Sequence, residues 1–389
     1  MKNLYDNLKK HMEYLCLECG PRQCGSVGER KAADYIESEF KKLGYETVRE
    51  EYPTIGWLCE EFLLFNATKC EVVPCATVGY FSHDADLTAP ITWIKGEDIK
   101  RLDKMDIKGK LCFIESRILP IPGGLNALAE LLDSHGVAGA VFISADHTSY
   151  APSTKAPRSP FMKNMATVTV SQEGVYYLYN NRDDEYRLKI STKRFDNTSY
   201  NIIARRSGGT KKAAIGAHYD TAPFIQGAGD DASGTAGVIE LARIFKDRYN
   251  EYSFDFCAFS AEEYILDSFP EGSKDYIRRH KNEDIKWFVN LDGVGLKISD
   301  KILETSHTEM LPELDIDVAL KRNATLSGDD KTFSYNGIPT VWIKTINPYA
   351  LLHTEFDSLE YIIDFQRMTE HVADYAMVID TLSQSEMFK

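Results

Sequence analysis

Apolar residues recur along this chain with two different periods, and the alternation between them sets out an architecture. In GERKAADYIESEFKKL, residues 28–43, the apolar Ala32, Ala33, Ile36, Phe40 and Leu43 fall on one helical face, and Gly44 stands where a left-handed cap ends the helix. This reading makes it the amphipathic helix that opens the protein. From about 60 to 195 the texture changes. LCFIES (111–116) and GAVFIS (139–144) read as buried strands around the helical NALAELLDSHG, and MATVTVSQ reads as an alternating strand. After SYNIIARRSGG the strand AAIGAH is followed by the helix GTAGVIELARIF. The strands FDFCAFS, WFVNLDG and TVWIKT come next, then a C-terminal helix near 363–382. Strands alternating with helices predict a largely parallel sheet covered on both faces. The expected fold is α/β, a mostly parallel central sheet flanked by helices with an inserted smaller α/β domain. Its outer domain is built from 1–60 and 196–389, and the insert is 61–195.

Composition narrows what such a fold does. At 389 residues the chain exceeds what one core organises, so two domains are expected. Acidic residues outnumber basic ones by 59 to 45, a formal charge of −14, which sets most of the surface against a phosphate backbone and excludes nucleic acid as the expected partner. No run approaches the ~18 apolar residues that cross a bilayer, so no membrane partner is expected. MKNLYDNLKKHMEYL places charges where a secretory leader needs an apolar core, so the chain reads as cytoplasmic. The eight cysteines are irregularly spaced and read as reduced thiols. Cys16, Cys19 and Cys24 lack a second Cys/His pair at finger spacing. A homo-oligomer is compatible with the sequence, although no apolar stripe marks an interface.

The candidate chemistry lies where the predicted strands end. Ligands of open α/β sheets collect beyond the carboxyl ends of the strands. AAIGAH ends at His218, followed by Asp220; FDFCAFSAEE ends at Glu262 and Glu263; WFVNLD ends at Asp292; TVWIKT runs on toward His353; and Asp230 and Asp231 sit in the glycine-flanked turn before a helix. Such crowded acids become mutually compatible around a cation. Imidazole and carboxylate without thiolate suit zinc first, and manganese or cobalt as substitutes. Five candidate ligands exceed the needs of one tetrahedral zinc with an open position. Two ions use them all: His218, Asp230 and Asp292 around one, Asp230, Glu263 and His353 around the other, with Asp230 as the bridge. Asp220 is placed to accept the other N–H of His218.

These residues resemble the co-catalytic dinuclear zinc exopeptidases, the family of bacterial zinc aminopeptidases and the glutamate carboxypeptidase II group. The resemblance rests on H-Y-D at 218–220, G-D-D-A-S-G at 229–234, S-A-E-E at 260–263, N-L-D at 290–292 and H-T-E-F-D at 353–357, in the family's order. GPRQCGS at 20–26 and GDDKTFSYNGIP at 328–339 add to it. It implies the same ligand set, Glu262 as general base, a cis peptide between Asp230 and Asp231, and hydrolysis of a peptide substrate by a water activated between two zinc ions. DIKGKLCFIES through MATVTVSQEGVYYLYN resembles, more loosely, the protease-associated domain that several members carry.

The chain also departs from the pattern. Leu352 replaces the tyrosine that commonly precedes the last histidine, leaving Tyr349 and Tyr335 as candidates for its oxyanion role. Ile265 and Asp267 replace two glycines after the glutamates, and Gly328 replaces the serine of an S-D-x-x-x-F loop. Arg22 and Lys331 are read as lining the cleft. The favoured activity is removal of N-terminal residues from peptides. The alternatives are a glutamate carboxypeptidase-like enzyme, for which Arg158, Arg205 and Arg206 are the available carboxylate-binding residues, and a catalytically inactive binding module of the same fold.

Overall fold

The computed structural model describes residues 2–388 except 116–120, 144–158, 265–268, 325 and 347–350. It divides into two compact units, Met1–Thr54 with Asn197–Lys389, and Ile55–Asp196. The first boundary falls at 54/55 where the sequence suggested 60/61. A single strand, Glu46–Asn66, runs through it, so no change of texture marks the point. A second long strand, Glu185–Arg206, carries the chain back.

In the larger unit the strands lie in the order Leu320–Asn323, Asp300–Thr305, Thr340–Ile346, Ile285–Asn290, Lys211–His218, Tyr252–Phe259 and the end of Glu185–Arg206. The central pairings are parallel. Antiparallel pairings stand outside them, between Tyr252–Phe259 and residues 202–206 and between Asp300–Thr305 and Thr340–Ile346. This is the expected mostly parallel sheet, and period-two side chains divide its core. Ala213, Ile215, Ala217, Phe254, Phe256 and Val289 belong to one layer, together with residues of the helices Val27–Lys42, Ser233–Phe245 and Phe365–Gln384. Ala214, Cys257, Phe259 and Phe288 belong to the other, with Tyr276 and Phe333 from the helices Glu271–Arg279 and Asp329–Tyr335. The Phe288 and Phe333 rings stack 3.7 Å apart.

The helix read as opening the protein is in fact preceded by another, Lys2–Glu13, whose Leu4, Leu8 and Met12 are buried against the same core. Its many charges hid the stripe, because Leu4, Leu8 and Met12 form a narrow i, i+4 seam.

The insert holds its own sheet, in the order 185–196, Ala85–Ile94, Leu111–Ile114, Gly139–Ile143, Ala166–Val170 and Ala76–Val78, with helices Gly124–Ser134 and Gln172–Asn180. The alternation in ATVTV suggested one polar face, yet the whole strand is buried. Thr169 tolerates this because its hydroxyl donates to the Phe142 carbonyl at 3.3 Å. No helix among the described residues is long and apolar enough to cross a membrane.

Candidate metal centre

The parallel register brings the acids together. His218 pairs with Phe259, and Asn290 pairs with Gly216 and Trp342, so these three strands end within two residues of one another. The chain then turns out of the sheet at His218–Asp220, Ser260–Glu263 and Leu291–Asp292. Thr235 on the following helix fixes the first exit by donating its hydroxyl to the His218 carbonyl at 2.7 Å. Arg22 fixes the loop beyond it. Its fully buried guanidinium donates to the carbonyls of Tyr219 (2.7 Å), Leu15 (3.0 Å), Gly20 (3.2 Å), Gln226 (2.8 Å) and Gly227 (2.8 Å). Arg22 is therefore not a cleft residue as the sequence suggested: its donors are aimed at the backbone of the chain.

The turn carrying Asp230 begins at Gly227, whose φ of +54° belongs to the left-handed region; a Cβ there would lie 2.3 Å from Thr221 Cγ2. The peptide between Asp230 and Asp231 is cis. Asp231 Oδ1 accepts from Gly234 N (2.8 Å) and Gly293 N (3.2 Å), tying the helix start to the Asp292 strand end. Asp357 Oδ1 accepts from Gly229 N at 2.6 Å, so this residue orients the Asp230 turn.

Two groups emerge whose ligand atoms all lie within 4.8 Å of one another: His218, Asp231 and Asp292, and Asp230, Glu263 and His353. Asp230 reaches into both, with Oδ1 2.9 Å from His218 Nε2 and Oδ2 2.6 Å from His353 Nε2, while Glu263 Oε1 lies 2.8 Å from the same His353 atom. Among the described residues, neither ring nitrogen of buried His218 has a partner in hydrogen-bond geometry, and Oδ2 of Asp231 has none. Buried imidazole and carboxylate atoms left this way fit a pair of cations, and the oxygen-nitrogen donor set fits zinc. The sequence alone does not single out Asp231 as a ligand, because a helix-capping aspartate explains its position equally well.

Asp220 stands beside His218, as expected, and has a second task. Its Oδ1 is 3.5 Å from His218 Nδ1, but its shorter bonds are from the backbone N–H groups of Glu262 (3.0 Å) and Glu263 (3.1 Å). It thereby holds both glutamates to the histidine strand. Gly328 lies beside them. A Cβ there would be 3.5 Å from both Asp292 Oδ2 and Glu262 Oε1, so the departure from serine leaves this side of the centre open. Asp329, the aspartate of that loop, is buried, and among the described residues its Oδ1 has no hydrogen-bond partner.

Electrostatics follow from this density. Burial, with Asp230 beside it, pushes Asp292 up to about 7, and burial raises Asp329 to about 7 as well. Burial and the Glu263, Asp329 and Asp230 carboxylates hold Glu262 well above the usual carboxylate range, against the pull of His218. Burial alone would lower His218, but Asp220 and Asp230 hold it well above its ordinary value. Burial opposes the ionised form of Asp230 too, yet the two imidazoles keep it well below the carboxylate range. The group at the junction of the two sites is thus the one most firmly ionised.

Of the tyrosines considered for the oxyanion, Tyr335 is 78% exposed and packs on Phe269 about 9 Å along its helix from Asp329, while Tyr349 lies outside the described residues. Ile265, Asp267 and Arg158 also lie outside them. Leu352 is half-buried and packs against the core. Lys331 Nζ sits 5.0 Å over the Phe269 ring.

Residues 201–378 match the family model of Peptidase family M28. The chain is 28% identical over 303 residues to Aminopeptidase YwaD of Bacillus subtilis, a match covering 76% of this chain and 62% of the relative. It is 28% identical over 224 residues to Leucine aminopeptidase 1 of Paracoccidioides brasiliensis, covering 48% of this chain and 56% of the relative. The chain therefore spans less than two thirds of the length of these curated relatives. A solved Peptidase M28 precursor from Shewanella amazonensis has a TM-score of 0.79 at 20% identity, covering 99% of this chain and 97% of that one. A zinc aminopeptidase from Bacillus subtilis has a TM-score of 0.77 at 22% identity, with the same coverage. These structures share the zinc exopeptidase fold.

Proposed function

We propose, from the match of residues 201–378 to the Peptidase family M28 model, that this protein is a zinc-dependent aminopeptidase that removes N-terminal residues from peptides. The observation that carries the reading is the arrangement of Asp230 between two groups of buried ligands with Glu262 alongside but in neither group. His218, Asp230 and Asp292 would hold one ion, with Asp231 adjacent, and Asp230, Glu263 and His353 the other. When bound, two such ions would polarise the scissile carbonyl and make an attacking water acidic. Glu262 would accept the proton from that water and pass it to the leaving amine, a task suited to a carboxylate that burial and neighbouring acids make more basic than usual. Asp220 keeps Glu262 and Glu263 in register by binding both backbone N–H groups. The names of the curated relatives support an aminopeptidase. We further read the chain as cytoplasmic, and its insert as protease-associated-like from the sequence resemblance alone.

The carboxypeptidase alternative needs a free arginine near the ions, and the described arginines considered for it are engaged elsewhere. Arg205 pairs with both Asp255 oxygens at 3.0 Å, and Arg206 donates to the carbonyls of Phe245, Tyr249 and Tyr252. Arg205 is level with Asp255 and His218 with Phe259, which separates them by about 13 Å along the strands.

Hydrolysis of amino-acid p-nitroanilides by zinc-loaded protein, compared with their N-acetylated forms, tests the reading. Cleavage confined to the free-amine substrates is expected; no cleavage of either, with release of the C-terminal residue from N-acetylated peptides that end in a free carboxylate, would replace it with the carboxypeptidase. Glu262→Gln should keep its zinc and lose at least ~100-fold in turnover, because it removes proton transfer and no ligand. Wild-type turnover in that variant would remove Glu262 from its role.

A further inference from the structure

We propose that Glu29, in the first segment of the chain, is a positioning residue for the base Glu262, acting through the hydroxyl of Ser260. The proposal rests on the aminopeptidase reading above. Ser26-Val-Gly-Glu29 has the spacing of a capping box, in which the glutamate would return to the backbone N–H of its own cap residue. Half of that box is present, since Ser26 Oγ accepts from Glu29 N at 3.0 Å. The Glu29 carboxylate does something else. Oε1 accepts from the hydroxyls of Ser260 and Ser199, each at 2.6 Å, and Oε2 accepts from Gly25 N at 2.6 Å. The side chain is fully buried, and a buried carboxylate is retained only where its donors are secured. Helix capping does not require a partner 231 positions away in sequence.

Ser260 is the last residue before the turn that presents the base. Ala261 follows it with a φ of +58°, a left-handed conformation that a residue with a Cβ adopts only when its surroundings impose it. Those surroundings grip the turn from both ends. Ahead of Ala261, Ser260 is held by Glu29 through its hydroxyl and by Tyr52 through its carbonyl, which accepts the phenol O–H at 2.9 Å. Beyond Ala261, Asp220 holds the N–H groups of Glu262 and Glu263. Releasing the first grip lets the turn relax about Ala261. A rotation of about 10° on an arm of ~5 Å moves the Glu262 carboxylate by roughly 1 Å, a misplacement that costs up to ~100-fold in rate.

The test uses the zinc-loaded protein and its Glu29→Gln, Ser260→Ala and double variants, measuring kcat, KM, zinc content and melting temperature. Each single variant should lose ~10- to 100-fold in kcat with KM within about twofold and wild-type zinc content, and the double variant should be no slower than the slower single. Losses that multiply, or that follow zinc content, would overturn the proposal. If Glu29→Gln does not fold, Ser260→Ala decides alone, and wild-type kcat in that variant overturns the proposal. The Glu262→Gln enzyme separates the two claims. Inactive Glu262→Gln beside fully active Ser260→Ala sinks only the Glu29 proposal, whereas active Glu262→Gln sinks the base assignment and this proposal with it.

Discussion

Replacing Arg22 by methionine should destabilise the larger unit far more than the loss of an ordinary surface cation. The guanidinium has no exposed surface, and its donors are used on five backbone carbonyls. Those of Gly20 and Gln226 are partly open, so water can replace the arginine there. The bonds to Tyr219, Leu15 and Gly227 are fully buried. A buried carbonyl left without a donor costs about 1–3 kcal/mol, which puts the three together at roughly 3–9 kcal/mol. Removing a buried charge also removes its desolvation, so the lower part of that range, about 3–5 kcal/mol, is the expected net loss. Methionine fills much of the volume and keeps packing loss small. Urea denaturation of zinc-free protein reads the stability, and zinc titration reads the second consequence. The freed loop connects His218 to Asp230, so zinc affinity should fall as well. Arg22→Lys should recover only part of the loss, since an ammonium cannot span the same carbonyls. A stability within ~1 kcal/mol of wild type for Arg22→Met would refute the reasoning.

His371 is buried, accepts from Gly295 N through Nδ1 and donates through Nε2 to the Ile343 carbonyl, and burial with nearby Lys301 lowers it to about 3. The unfolded chain takes up this proton near ~6.5 and the folded one only near 3, so stability should fall as pH drops between them, by ~2 kcal/mol at pH 5. Denaturation midpoints from pH 7 to 4 should show a shallower slope for His371→Asn, and identical slopes would count against a neutral His371. The Glu262→Gln and Ser260→Ala enzymes, assayed side by side, separate proton transfer from the positioning of the group that performs it.

Much of the centre was legible because parallel strands impose a common exit. Once AAIGAH, FDFCAFS and WFVNLD are read as buried parallel strands, residues at their carboxyl ends are brought together by register, and the acids there stand out against apolar runs. The supporting residues were less visible. Glu29 hides inside a capping-box spacing, which explains the glutamate locally and gives no hint of Ser260. Arg22 sits in a motif beside a metal-binding fold, where a cation looks like a substrate contact, and only the folded loop reveals carbonyls around it. Two-residue spacing puts Asp220 beside the imidazole, but nothing in it hints that the neighbouring strand end also offers two N–H donors to the same carboxylate. The long strands Glu46–Asn66 and Glu185–Arg206 combine exposed, half-buried and buried positions, so neither period dominates their sequence.

Zinc titration of the metal-free protein, run in parallel with Asp230→Ala, tests the central claim most directly. The account predicts two zinc ions per chain in the wild type, protons released on binding as raised carboxylates such as Asp292 ionise, and weakened binding at both sites in the variant, because Asp230 touches both histidines. A single ion in the wild type, or two tightly held ions in Asp230→Ala, would contradict a centre bridged by this residue.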